Sequence, residues 1–188
     1  KDVAMCRWTR CRASAAVGWF LLAAAALAAP TSSAAALTPN SPEVRRAIDA
    51  GIKYLESDAA RDTRVGAGAL VGIALLKRGA PPDHPKIAAA VAQIQQGLEA
   101  RDPAKVGFEI YSTGLAIVFL VELDPGKHQS DIDCLMKSLQ LCQKPHGGWG
   151  YPHLETGDTS MTQYGVLSSW EAAQVGMPMP VDSIEGVT

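Results

Sequence analysis

Apolar residues along this chain alternate between two patterns. Val44, Ile48, Ile52 and Leu55 recur at the spacing of one helical face, with Ser41 placed as N-cap, Pro42 in the first turn and Glu43 beside it. Gly66 to Leu76 follows, apolar on every side and closed by Lys77, Arg78 and Gly79. After the turn Pro81-Pro82-Asp83-His84-Pro85, the residues Ile87, Val91 and Ile94 again mark a single face, whereas Leu115 to Val121 is apolar all round. Ile132, Leu135, Met136 and Leu139 return to one face. Nothing in the mature part reads as strand, so the expected fold class is all-α.

The alternation is an internal repeat. Gly68 to Leu76 superposes on Thr113 to Val121, and one shift of about 45 residues also brings Lys86 to Gln95 onto Asp131 to Gln140. A third copy has Tyr164 to Ala173 as its apolar helix, Gly176 and two prolines as its turn, and Val181 as the next start. Helices apolar all round should be buried on both sides, and one-faced helices should meet solvent, so an inner row wrapped by an outer row is expected. The chain stops at Thr188 in the opening turns of another helix, which predicts a repeat domain over 43–188 that continues past the C-terminus.

Charge and targeting narrow the class. Among 188 residues, 47% are hydrophobic and 19% charged, with a net charge of -2 and no basic run after the first dozen residues, so no footprint for nucleic acid is present. Arg7, Arg10 and Arg12 precede the apolar stretch Ala13 to Ala29, with Met5 as the expected start of translation. Residues 1–36 read as a signal peptide cleaved near Ala34 to Ala36, followed by a linker over 37–42. The expected location is secreted or periplasmic, with no stable membrane span after cleavage; a retained anchor is the alternative. Of the cysteines outside the signal, Cys134 and Cys142 would lie ~12 Å apart on one helix, too far for a disulfide, and are expected as two buried thiols.

The richest stretch is Gln143-Lys144-Pro145-His146-Gly147-Gly148-Trp149-Gly150-Tyr151, with Asp158-Thr159-Ser160-Met161-Thr162-Gln163-Tyr164-Gly165 after it. Gln143-x-x-x-Gly147-x-Trp149 resembles the QW repeat of the isoprenoid cyclases and prenyltransferases, the family that includes squalene-hopene cyclase. Asp158 to Tyr164, running into Trp170-Glu171-Ala172-Ala173 and Gly176-Met177-Pro178, also looks like a helical hairpin of secreted cyclase-like repeat proteins. The resemblance covers residues 130 to 180 and implies an α/α toroid of about six helical hairpins, of which this chain would supply roughly the first half. It also implies that Gln143, Gly147 and Trp149 are structural. The residues agree: Gln143 can satisfy helix-end backbone groups while Trp149 fills the gap between hairpins.

Catalytic chemistry is harder to place. The cyclases of this family protonate an alkene with the middle acid of an Asp-x-Asp-Asp motif, which this chain lacks. Asp131-Ile132-Asp133 is the nearest string, and Ser130 with Asp133 reads instead as a capping box. Cys142, His146, His153 and Asp158 are zinc-ligand types around one loop, but their spacing matches no zinc pattern, so no metal and no cofactor are expected. His84 and His128 lie in turns and should face solvent. Asp158 and Glu109 are the candidate catalytic acids, although both suit helix N-termini. Trp149, Tyr151, His153 and Tyr164 are the candidate ligand-pocket residues.

The expected function is that of an exported terpenoid cyclase or prenyltransferase-like repeat protein, binding or cyclising a hydrophobic isoprenoid or lipid. A non-catalytic scaffold for protein, lipid or glycan is the alternative. A carbohydrate-active toroid, with Glu109 near Tyr111, or Glu155 or Asp158 near Trp149 and Tyr151, is the second.

Overall fold

A computed structural model of the chain describes residues 37–57 and 62–178. The expected signal segment and the start at Val181 lie outside the described residues. Contacts divide the chain at Val44 into a first unit, Lys1–Val44, and a second, Arg45–Thr188. The described part of the first unit holds a turn, where Ser41 Oγ accepts from Thr38 N at 2.9 Å, ahead of Pro42 at the first helical position.

Six α-helices and one short 3-10 helix make up the described residues, with no strand among them: α1 (Pro42–Glu56), α2 (Val65–Lys77), α3 (Pro85–Gly97), the 3-10 turn Pro103–Lys105, α4 (Ile110–Leu123), α5 (Gln129–Leu141) and α6 (Thr159–Gln174). The apolar blocks and one-faced blocks of the sequence each became a helix. Punctuation falls where backbone chemistry demands it: Gly79 and Gly176 close α2 and α6 with positive φ. His84 caps α3, its Nδ1 accepting from Lys86 N at 3.3 Å.

In the second unit, α2, α4 and α6 pack side by side, and α3 and α5 lie against α2 and α4. The sequence offset is therefore a contact distance as well: Lys77 Nζ meets Glu122 Oε2 at 2.6 Å across 45 residues. Ser112 Oγ, on α4, likewise accepts from Gly66 N of α2 at 3.1 Å. Phe119, Ile117, Leu120, Leu75, Ile87, Ile94, Ile132, Leu135 and Leu139 are fully buried and make the shared core.

The expectation that every all-apolar helix is buried on both sides holds only for α4. That helix has an inner neighbour on each side and buries residues around its whole circumference, from Ile110 to Val121. Helix α2 buries only Gly66, Ala69, Gly72 and Leu75, and leaves Leu70 54% exposed. Helix α6 buries Met161, Gly165, Ser168, Ser169 and Ala172, and leaves Trp170 52% exposed. The physical reason is position: each has an inner helix on one side only among the described residues. The buried serines of α6 stay satisfied within the helix, Ser168 donating to Tyr164 O and Ser169 to Gly165 O, both at 2.8 Å.

Two expectations near α5 are overturned. His128 is 3% exposed rather than solvent-facing, and it occupies the N-cap position that the capping-box reading gave to Ser130. Asp131 is also buried, where it accepts from Arg101 and from Gln95 Nε2 at 3.2 Å and lies 3.4 Å from His128 Nδ1. Arg101 reaches it from a turn with φ 49, a left-handed conformation that non-glycine residues seldom adopt. Asp133 sits on the exposed side and pairs with Lys137 Nζ at 2.7 Å. The misreading arose because one turn of helix contains an inward and an outward acid, and only the inward one had partners distant in sequence.

Candidate functional site

The loop from α5 to α6 is fixed by its own polar groups before it offers anything to a ligand. Gly147 turns the chain at φ 85, a conformation costly to any residue with a Cβ, and Gln143 Nε2 donates to its carbonyl. A carbonyl near the end of α5 is met by the tryptophan: Trp149 Nε1 donates to Leu139 O at 2.8 Å. Trp149 N and O both engage the Thr162 hydroxyl, and Asp158 N donates to Trp149 O at 2.7 Å. Lys144 Nζ donates to Tyr151 O and Leu154 O, closing the rest of the loop.

Trp149 is 1% exposed and packs on Gly165 of α6, where a Cβ would lie 2.6 Å from the indole Cε3. Its assignment to a ligand pocket is therefore corrected: the indole is core, wedged between the end of α5 and α6. Gly165→Val should destabilise the protein by about 1 to 3 kcal/mol, because the indole cannot retreat without losing the Leu139 bond. Urea unfolding of the variant beside wild type measures this; equal midpoints would show that the contact is looser than it looks.

Helices α2, α4 and α6 begin at one end of their row, and there the remaining candidates gather. Glu109 and Asp158 occupy the N-cap positions of α4 and α6. Asp158 Oδ1 accepts from Met161 N at 2.9 Å and from the Ser160 hydroxyl, which in turn bonds Tyr111 Oη at 2.7 Å. Glu109 Oε1 accepts from Ser112 Oγ at 3.0 Å. Tyr164 meets Tyr111 edge to face, centroids 5.3 Å apart at 80°. The Ser160 hydroxyl and then the Met161 amide hold the Asp158 carboxyl below the usual carboxylate range. Tyr111, and after it the Asp158 charge, push the Tyr151 phenol above its usual range.

Beside this polar rim lies a cavity of about 360 Å³, lined by Phe108, Ile110, Leu141, Pro152 and Met161 with Glu109, Lys144 and Tyr151 among its polar members. Its walls come from the start of α4, the end of α5, the loop and the start of α6. Of the four pocket candidates only Tyr151 lines it; His153 is exposed, its ring 5.9 Å from that of Tyr151, and Tyr164 belongs to the aromatic pair behind. Phe108, Leu141 and Met161 were not foreseen as pocket residues, because apolar residues at helix ends carry the same pattern as core.

Cys142 is exposed at the C-cap of α5, not a buried thiol, while Cys134 is buried, and both are free. Burial pushes the Cys134 thiol above its usual range. His146 is exposed and spends Nδ1 on Gly148 N at 3.2 Å. Among the described residues no group of three or more His, Cys, Asp or Glu could hold a metal ion. No helix of the described residues is long and apolar enough to cross a membrane. No family model, curated protein or solved structure matches the chain.

Proposed function

We propose that this chain is an exported hairpin-repeat protein of the terpenoid cyclase and prenyltransferase-like kind, part of an α/α toroid, that binds a hydrophobic isoprenoid or lipid where its inner helices start. The cavity among Phe108, Ile110, Leu141, Pro152 and Met161 carries this reading. Its volume falls within the ~300 to 1,000 Å³ of ordinary ligand pockets, and it combines apolar walls with a few polar groups. Side-by-side packing of α2, α4 and α6 supports the toroid.

The same geometry favours binding over catalysis by this segment. Asp131, the inward acid of the string nearest the cyclase motif, accepts from Arg101 and Gln95, contacts that favour its ionised form and weigh against it as a proton donor to an alkene. Asp158 is held ionised by its own helix start, whereas a glycosidase acid needs its carboxyl raised toward neutrality, which weighs against the carbohydrate-active reading.

Farnesol titrated into the full chain, with a soluble oligosaccharide in parallel, tests this. Binding to the folded state at a hundredfold excess over Kd adds about 2.7 kcal/mol, a shift of several degrees in Tm. A saturable shift with farnesol alone is expected. A shift with the oligosaccharide alone would replace the proposal, and no shift with either would remove it.

A further inference from the structure

We propose that Glu109 accepts from the ligand's polar end, so that the cavity takes a lipid whose head donates a hydrogen bond, an alcohol in preference to an ether or a phosphate ester. This rests on the reading of the cavity as a lipid site and names the head group that site selects. The acids at the starts of α4 and α6 are used differently. Asp158 caps its own helix, with Oδ1 accepting from Met161 N at 2.9 Å and from the Ser160 hydroxyl. Glu109 holds the equivalent position on α4, with the same extended backbone, yet its side chain makes no capping hydrogen bond. A carboxylate that stands at a helix start without capping it is left to accept from another donor.

A buried hydroxyl sets its direction. Ser112, 4% exposed, accepts from Gly66 N at 3.1 Å and donates to Glu109 Oε1 at 3.0 Å. The amide of α2 thus orients the hydroxyl, and the single proton of the hydroxyl orients the carboxylate. Oε2 receives no hydrogen bond among the described residues, and Glu109 forms part of the wall of the cavity of about 360 Å³. A carboxylate only accepts, so its partner in that cavity must carry an O–H or N–H. An alcohol at the end of an apolar chain supplies one, and an ether does not.

The cations nearby are already engaged. Lys144, in the cavity lining, donates from Nζ to Tyr151 O at 3.1 Å and to Leu154 O at 2.7 Å. Arg64, at the start of α2, holds Asp62, with Nε 3.0 Å from Oδ1. The uncapped start of α4 carries about half a positive charge, less than the full negative charge of the Glu109 carboxylate. A phosphate head would have to draw Lys144 off the loop carbonyls or face Glu109 directly.

Thermal shifts of the full chain with farnesol, farnesyl methyl ether and farnesyl phosphate give three apparent affinities at low ionic strength, where charge is least screened. Farnesol should bind at least about fivefold more tightly than either of the others, a hydrogen bond to a charged acceptor discounted for the exposure of Glu109. Glu109→Gln keeps an acceptor for Ser112 and adds an N–H facing the ligand, so it should erase both preferences. The ratios are read within each protein, so a change in its stability does not enter them. Farnesyl phosphate binding more tightly than farnesol would place the head on Lys144 and the α4 amides and overturn the inference. Equal affinity for all three ligands, or preferences that survive Glu109→Gln, would overturn it too, in each case with the lipid site itself intact. No shift with any of the three would remove the lipid site and this inference with it.

Discussion

Trp149→Ala should destabilise the protein by ~3 to 5 kcal/mol, the largest effect expected of any single substitution in the chain. Two losses coincide at this side chain. Its indole, 1% exposed, leaves a void against Gly165, and its Nε1 bond to Leu139 O vanishes, leaving that carbonyl only the Cys142 amide at 3.2 Å. Trp149→Phe separates the terms, since it keeps most of the ring but not the N–H. It should cost about 1 to 2 kcal/mol, the size of one buried hydrogen bond. Chemical denaturation of the three proteins decides the matter. Equal stability of wild type and the alanine variant would end the claim that the loop is a structural tie, and equal effects of both variants would assign the whole contribution to the N–H.

Asp131→Ala is expected to cost about 2 to 3 kcal/mol. Removing one member of a buried pair usually costs more, ~3 to 5 kcal/mol, but Arg101 keeps a side chain 52% exposed and can rehydrate. His128, 3% exposed, cannot do so as readily. The pH dependence carries a definite sign. Burial pushes the Asp131 carboxyl up, but hydrogen bonds from Arg101, Gln95 and His128 outweigh it and leave the folded value below the usual range. A depressed carboxyl contributes stability that is fully present above the unfolded pKa of about 3.9 and is lost as pH falls through the lower folded value. Wild type should therefore lose stability on acidification below about pH 4 more steeply than Asp131→Asn, which has no proton to take up there. Parallel acid profiles for the two proteins would mean that the Arg101 contact contributes nothing in solution.

The helices were legible because hydrophobic periodicity is local information. The apolar runs Gly66 to Leu76 and Leu115 to Val121 lie within the helices Val65–Lys77 and Ile110–Leu123, and the offset of 45 residues between copies is also the separation of Lys77 and Glu122, which pair. Capping at Asp158 was equally local, since its acceptor meets an amide three residues on. What escaped was everything set by partners remote in sequence. His128 and Asp131 read as turn and cap residues because nothing nearby says that Arg101 and Gln95 will arrive. Cys142 read as helix core because periodicity does not report where a helix end meets solvent. Trp149 read as a filler between hairpins, but the pattern carried no sign that its indole N–H would also meet Leu139 O, or that Gln143 would donate to the Gly147 carbonyl. The cavity was least legible, because Phe108, Leu141 and Met161 carry no chemistry apart from their placement.

Leu141 offers the most direct test of the central claim that the cavity at the inner-helix starts binds an apolar ligand. It lines the cavity yet is 66% exposed, so Leu141→Asp makes the mouth polar at almost no expense to folding. The measurement is the farnesol-induced rise in Tm for wild type and Leu141→Asp. The account predicts unliganded melts that coincide and a ligand shift present in wild type but reduced at least tenfold in apparent affinity in the variant. Identical ligand shifts in the two proteins would contradict it, because the ligand would then be bound somewhere other than this cavity.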